Sequence, residues 1–202
     1  MSASPTTPHP VRDALRWLLV LPAFPLSGLL VTTVIGPVDS PGTALAGGAV
    51  VGLAVGAAQV FALRGRARSM AWLAASTLGG GLGLLAGSAV VDYAVTLPAL
   101  ALQGLVTGAF IGTAQAIALP RPARRVGWVV GVAAVWTLGW VTTTLVGVDV
   151  EQQYAVFGAS GALVAALGFA ALAALTLPST AARAMPSHPS STASAALEGS
   201  AS

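Results

Sequence analysis

The chain has 202 residues, 55% of them hydrophobic and only 7% charged, with a mean hydropathy of +0.84. Water-soluble domains carry about 25% charged residues, so this composition cannot coat a water-facing surface, and lipid is the expected solvent. There is no cysteine, which excludes disulfides, thiolate nucleophiles and cysteine-held metals; the net charge of +3 rests on nine arginines and no lysine.

A bilayer core about 30 Å thick needs roughly 20 apolar residues per crossing helix. Six stretches meet that length, and their order predicts an all-α integral membrane bundle. The first is Leu15–Ile35, led in by Arg12 and Arg16. Pro22 and Pro25 lie inside it and should bend or loosen the helix, because each removes an N–H. No small-x-small cleavage site follows, so the span is expected to be kept rather than removed as a signal peptide. The second span, Thr43–Leu63, carries small residues every fourth position at Gly48, Gly52 and Gly56, then Gln59. The third, Met70–Val91, opens on Trp72. The fourth, Pro98–Leu119, has proline in its first turn, where the missing N–H costs little. It repeats the small stripe as Gly104, Gly108 and Gly112, followed by Gln115. The fifth, Val126–Val146, opens on Trp128. The sixth, Ala155–Leu177, carries a weaker stripe of Ser160, Val164 and Gly168. Pro120 and Pro178 close the fourth and sixth. Runs this long without dyad alternation do not suit barrel strands of about 9–11 residues. Residues 1–10 and 179–202, rich in Ser, Pro, Thr and Ala, are expected to be flexible tails.

Charge orients the spans. Arg12, Arg16, Arg64, Arg66, Arg68, Arg121, Arg124, Arg125 and Arg183 all fall on one side of a six-span path. Asp39, Asp92, Asp149 and Glu151 fall in the opposite loops. The positive-inside rule then places both termini in the cytoplasm. The missing lysine and the Ala/Gly/Val excess fit a GC-rich bacterial genome, and hence an inner membrane. A pI of 10.6 could suggest nucleic acid. That reading needs a basic patch on one face, and here the arginines are short clusters between apolar runs; they read as topology signals, with no nucleic-acid partner.

The chain also resembles itself. Between Gly52–Trp72 and Gly108–Trp128, nine of 21 positions are identical at a shift of 56. Trp17, Trp72 and Trp128 open the odd-numbered spans, and Gly28, Gly83 and Gly139 each follow 11 residues later. That spacing is nearly three helical turns, so tryptophan and glycine share a face. Gly56, Gly112 and Gly168 recur in the even spans, as do Leu63, Leu119 and Leu175. The pattern predicts three tandem hairpins, about residues 11–66, 67–121 and 122–178, in a pseudo-threefold ring about the membrane normal.

The recurrent residues have modest expected roles. The glycine faces should let helix backbones approach closely, which drives packing in lipid; a glycine-lined conduit is the alternative. Gln59 and Gln115 should bond a neighbouring helix, worth about 0.6 kcal/mol on average in membranes, or else line a path for a solute. The third copy has Ala171 at that place. Thr32 and Thr33, then Gly87 and Ser88, then Thr143 and Thr144 occupy equivalent outer positions. Their hydroxyls can bond their own helix, or form a small neutral ring if they face the centre. Trp17, Trp72 and Trp128 beside the arginines, and Tyr93 and Tyr154 beside the acids, read as interfacial anchors.

No Asp, Glu, His or Lys lies within a span, where ion-coupled transport usually leaves one. His9 and His188 stand apart in the tails. No catalytic or metal-binding motif is present. The expectation is a protein without cofactor or catalytic residues: a structural or interaction protein of the membrane, with a homo-oligomer or other membrane proteins as partners beside the bilayer itself. The alternative is a channel or uncoupled facilitator for a small neutral solute.

The pattern G-x-x-x-G-x-x-Q, then Leu, arginines and a Trp opening the next helix, resembles a group of uncharacterised bacterial multi-spanning membrane proteins made of repeated hairpins. Gly52, Gly56, Gln59, Leu63, Arg64 and Trp72 carry the resemblance, with Gly108, Gly112, Gln115, Leu119 and Trp128. Members of the group often have Trp directly after the Gln, where this chain has Val60 and Ala116, and Pro120 replaces the first arginine. The resemblance implies the six-span architecture and no particular activity.

Overall fold

The computed structural model describes residues 15–65, 67–119, 124–147 and 150–177. Both predicted tails lie outside the described residues, as do Arg12, Arg66, Arg121, Asp149 and Arg183. The described chain is helical and contains no strand. Its helices are α1 (Ala23–Val34), α2 (Pro41–Leu63), α3 (Ser69–Val90), α4 (Leu97–Ala118), α5 (Arg125–Leu145) and α6 (Ala159–Thr176). Counting the turns that precede α1, six segments are long and apolar enough to cross a membrane, the first being Leu15–Val34.

Local chemistry explains the ends. Pro22 and Pro25 cannot donate, and the chain before α1 is held by i→i−3 bonds such as Leu19 N–H to Arg16 O and Val20 N–H to Trp17 O. These tighter bonds are what a helix adopts where its i→i−4 ladder is interrupted. Ser40 and Thr43 form a reciprocal capping box at the start of α2, with Pro41 in the first turn. At its far end Arg64 (φ 49°) and Gly65 (φ 73°) turn the chain through the left-handed region, the usual way to close a helix before a tight connection.

The interior is largely apolar with polar spots, and the exterior is apolar as well. Leu26, Leu29, Leu53, Phe61, Leu78, Leu105, Ile117, Leu138 and Leu167 point outward, while Ser27, Gln59, Ser76, Ser88, Gln103, Thr107, Gln115, Thr143 and Gln153 are buried. A soluble domain of this size does not expose so many large apolar side chains together. An apolar exterior around a polar-spotted interior suits lipid, and the chain is a multi-pass membrane protein. Consecutive helices pack on one another and α6 also touches α1, so the bundle closes on itself.

The register of the even helices follows the sequence twice and departs from it once. The ten buried residues of α2 run from Ala44 to Leu63; moved by 56 positions, every one lands on a buried residue between Leu100 and Leu119. Moving α4 by another 56 fails. Leu175 is 77% exposed, whereas Leu177 is 6% exposed. The buried positions of α6 are Gly161, Ala162, Ala165, Ala166, Phe169, Leu172 and Ala173, and all but Leu172 match buried residues of α4 (Gln103, Gly104, Thr107, Gly108, Ile111 and Gln115) at a shift of 58. Two residues are worth about 200° of rotation. The alignment of Gly168 with Gly112, of Leu175 with Leu119 and of Ala171 with Gln115 is therefore corrected. Ala173 stands where Gln115 stands, and Leu177 where Leu119 stands.

The extra length enters between α5 and α6. Residues 155–158, expected to open the sixth span, are not helical. They fold into the bundle, with Ala155, Val156 and Phe157 buried.

Candidate functional site

The buried side chains inside the bundle fall into three groups along its length. At the arginine end, α2 and α4 each bring a glutamine inward, on the same face as their glycines. Trp72 Nε1–H donates to Gln59 Oε1 at 3.1 Å, and Trp128 Nε1–H donates to Gln115 Oε1 at 3.1 Å. The same 13-residue spacing across an arginine loop thus gives the same bond twice. The two pairs are then joined. Gln115 Nε2 donates to Gln59 Oε1 and to Ser76 Oγ, both at 2.9 Å. Gln59 and Gln115 are each 1% exposed. Gln59 Nε2 has no partner.

The tryptophans expected at the interface are core residues instead. Trp72 and Trp128 meet edge to face at 5.3 Å, Trp17 stacks on Phe169 at 5.9 Å, and Phe169 also lies beside Trp128. Each indole has a hydrogen-bonding or stacking partner inside the bundle, which outweighs the attraction of the headgroup region. Trp136 and Trp140 are buried as well.

The middle layer is aromatic. Phe157, from the segment before α6, stacks on Phe24 at 5.1 Å and meets Trp136 at 5.4 Å and Trp140 at 6.1 Å. Trp136 lies 11 residues into α5, about 16 Å along it at 1.5 Å per residue. The Phe157 ring thus reaches inward to Trp136, while the backbone that carries it lies nearer the outer end of α5, where Gly158 and Gly161 face Thr143 and Gly139. Non-helical backbone inside a membrane is tolerated only where protein covers it. Glycines make the room: a Cβ on Gly28 would fall 2.9 Å from Val156, and one on Gly139 would run into the Phe157 ring. Two of the three glycines that follow a tryptophan by 11 residues thus seat this segment, while Gly83 faces Thr107 and Phe110 of α4.

The outer layer is tied by Gln153. Its Oε1 accepts from Ser88 Oγ at 3.3 Å, its Nε2 donates to Ala94 O at 2.8 Å, and its backbone O accepts from Val38 N–H at 3.2 Å. One side chain and its peptide thereby hold the α1–α2 connection, the end of α3 and the α3–α4 connection. Sequence reasoning passed over Gln153, which carries no local signal in its loop. Ser76 was findable, since it lies four residues after Trp72 on the same face. Gln103 and Thr107 were passed over too. Thr107 Oγ1 donates to Gly83 O at 3.2 Å; Gln103 is fully buried with neither amide atom partnered.

The other sequence-predicted residues divide. Thr32, Thr33 and Thr144 return their hydroxyls to their own helices, at Gly28 O, Leu29 O and Trp140 O. Thr33 is exposed, so no hydroxyl ring forms. Ser88 and Thr143 face inward, and Thr143 Oγ1 is unpartnered. Gly48, Gly52 and Gly56 lie against Gly80 and Ser76 of α3; Gly104, Gly108 and Gly112 lie against Trp136, Ala133 and Val129 of α5. Gly168 touches only the Val135 side chain. Among the described residues no three His, Asp or Glu come together.

No family model, curated protein or solved structure matches this chain. The functional reading therefore rests on this geometry.

Proposed function

We propose that the chain is a non-enzymatic structural or interaction protein of a bacterial inner membrane, built as three tandem hairpins with both termini and all arginines on the cytoplasmic side. The observation that carries the reading is the bonding among the inward-facing polar groups. The polar groups that a conduit would present to a solute are bonded to one another at Gln59, Gln115, Ser76, Ser88 and Gln153. Phe157 and Phe24 stack in the interior beside those groups and add apolar bulk there. What remains available to partners is the apolar outer face, which suits a second copy or another membrane protein. The likeness of the G-x-x-x-G-x-x-Q hairpins to a group of bacterial membrane proteins agrees with the repeated architecture.

The alternative, a channel or uncoupled facilitator for a small neutral solute, draws on one observation: Gln59, Gln103, Trp136 and Thr143 each have a buried polar atom without a partner. Reconstitution separates the two. Liposomes containing the chain should show the solute flux of empty vesicles across a panel of small neutral solutes, and Gln59→Leu with Gln115→Leu should change melting but not flux. A flux above empty vesicles that this pair abolishes at unchanged folding establishes the conduit. Orientation is checked separately on the cysteine-free background: Asp92→Cys should label from outside in intact cells, and Arg64→Cys only after permeabilisation.

A further inference from the structure

A groove of about 770 Å³ lies on the arginine end of the α3–α4 pair, walled by both helices and flanked by Arg68 and Arg125. Its origin is local. Farther from the arginines, Gly79, Gly83 and Gly87 bring α3 against α4; toward them the facing positions become Ala71, Ala75 and Ala114, and a trough remains. Leu78 and Ile117 form its apolar lips and are 63% and 73% exposed. From Arg68 to Leu78 is about 15 Å along a helix, half of a bilayer core about 30 Å thick.

Among the described residues, the charged end carries no acidic side chain. Helix N-termini carry partial positive charge and favour carboxylates in the first turn. Here α3 and α5 both begin without a side-chain cap and without an acid in the first turn, and arginines occupy those positions. Arg125 is half-buried, and its Nε is shielded from solvent with no hydrogen-bond partner. The described acids, Asp39, Asp92 and Glu151, all lie in the connections at the opposite end of the bundle. Two arginines and two helix starts thus converge on an apolar trough one leaflet long.

We propose that this groove binds one anionic phospholipid, its phosphate held by Arg68 and Arg125 and one acyl chain lying along Ala71, Ala75, Leu78, Ala114 and Ile117. Arginine suits a phosphate because its planar fork offers paired donors. Basic pockets between spans at the cytoplasmic leaflet are a recurrent solution for anionic headgroups. A soluble phosphate has no use for the apolar walls, so the lipid is the occupant that fits both halves.

The test uses the full chain in mild detergent micelles doped with phosphatidylglycerol or with phosphatidylcholine, read by native mass spectrometry and thermal melting. One phosphatidylglycerol should remain bound and raise the melting temperature. Phosphatidylcholine and millimolar inorganic phosphate should do neither. Arg68→Gln with Arg125→Gln should lose the bound lipid, while Arg64→Gln, in the same connection but outside the groove, should keep it. If the double variant does not fold, Arg68→Lys with Arg125→Lys should fold and hold the lipid more weakly. Ala71→Phe fills the trough with both arginines in place and should also lose the lipid. Equal retention of both lipids overturns the proposal by showing no preference for an anionic headgroup, and retention of phosphatidylglycerol by Ala71→Phe overturns it by reducing the binding to diffuse charge attraction.

Discussion

Two seams at the arginine end join an even helix to an odd one, and they use different chemistry. Where α4 meets α5, Trp128 donates to Gln115, and Gly104, Gly108 and Gly112 lie on the opposing backbone. Where α6 meets the start of the first span, Trp17 stacks on Phe169 with an interplanar angle of 11°. A hydrogen bond between two particular atoms, backed by glycine-to-backbone contact, admits one register. Stacked rings slide with little loss, because ring–ring attraction tolerates offset geometry. The seam without the amide is also the one at which the face of α6 has moved by two residues. Specific bonding holds the sequence repeat in place at the first two even helices, and its absence lets the third take up a longer preceding segment, which carries Phe157.

The comparison is broken most severely at Trp128, which serves both seams through Trp72, Gln115 and Phe169. Trp128→Ala should cost about 3–5 kcal/mol, as for other buried aromatic truncations. Thermal melting in detergent should rank it the most damaging single change. The glycines give the next contrast. A Cβ on Gly52 would meet the Ser76 backbone carbonyl, which cannot yield, while one on Gly168 would meet only a Val135 methyl. Gly52→Ala should therefore destabilise by about 1–3 kcal/mol through overpacking, and Gly168→Ala by clearly less.

The amides come third. Gln115→Leu strips partners from Trp128 Nε1 and Ser76 Oγ together, at about 1–3 kcal/mol for stranded buried groups. Gln59→Leu strands Trp72 Nε1 but removes Nε2, which is already unpartnered, so it should cost less. The double variant should fall short of the sum, because the two share the 2.9 Å bond. Strict additivity in a melting-based double-mutant cycle counts against a joined network.

Much of this was legible in the chain. Span limits followed from apolar length and proline position and agree with the observed helices within a residue or two from the second to the fifth, while the first span, Leu15–Val34, is interrupted by turns before Ala23. The Gln–Trp spacing of 13 was visible in both copies, yet hydropathy places an indole beside arginines at the interface and cannot see that an amide awaits it across the bundle. The non-helical segment before α6 was hidden because Ala155, Val156 and Phe157 are as apolar as the helix they precede. The register of α6 was hidden for a related reason: Ala, Gly and Leu populate every face of Ala159–Thr176, so no polar residue marks the inner side as Gln59 and Gln115 do.

That last ambiguity yields the finest test. The sequence alignment puts Ala171 in the glutamine's place, and the burial pattern puts Ala173 there. Ala171 is exposed and Ala173 is 1% exposed. Ala171→Gln should leave melting within about 0.5 kcal/mol of the parent, as surface changes do, since its long side chain can extend toward the nearby helix end. Ala173→Gln inserts volume and an amide beside the Trp17–Phe169 stack and should cost about 1–3 kcal/mol. The opposite ranking restores the 56-residue register for α6, and with it a strict repeat in which the two seams differ by side chain alone.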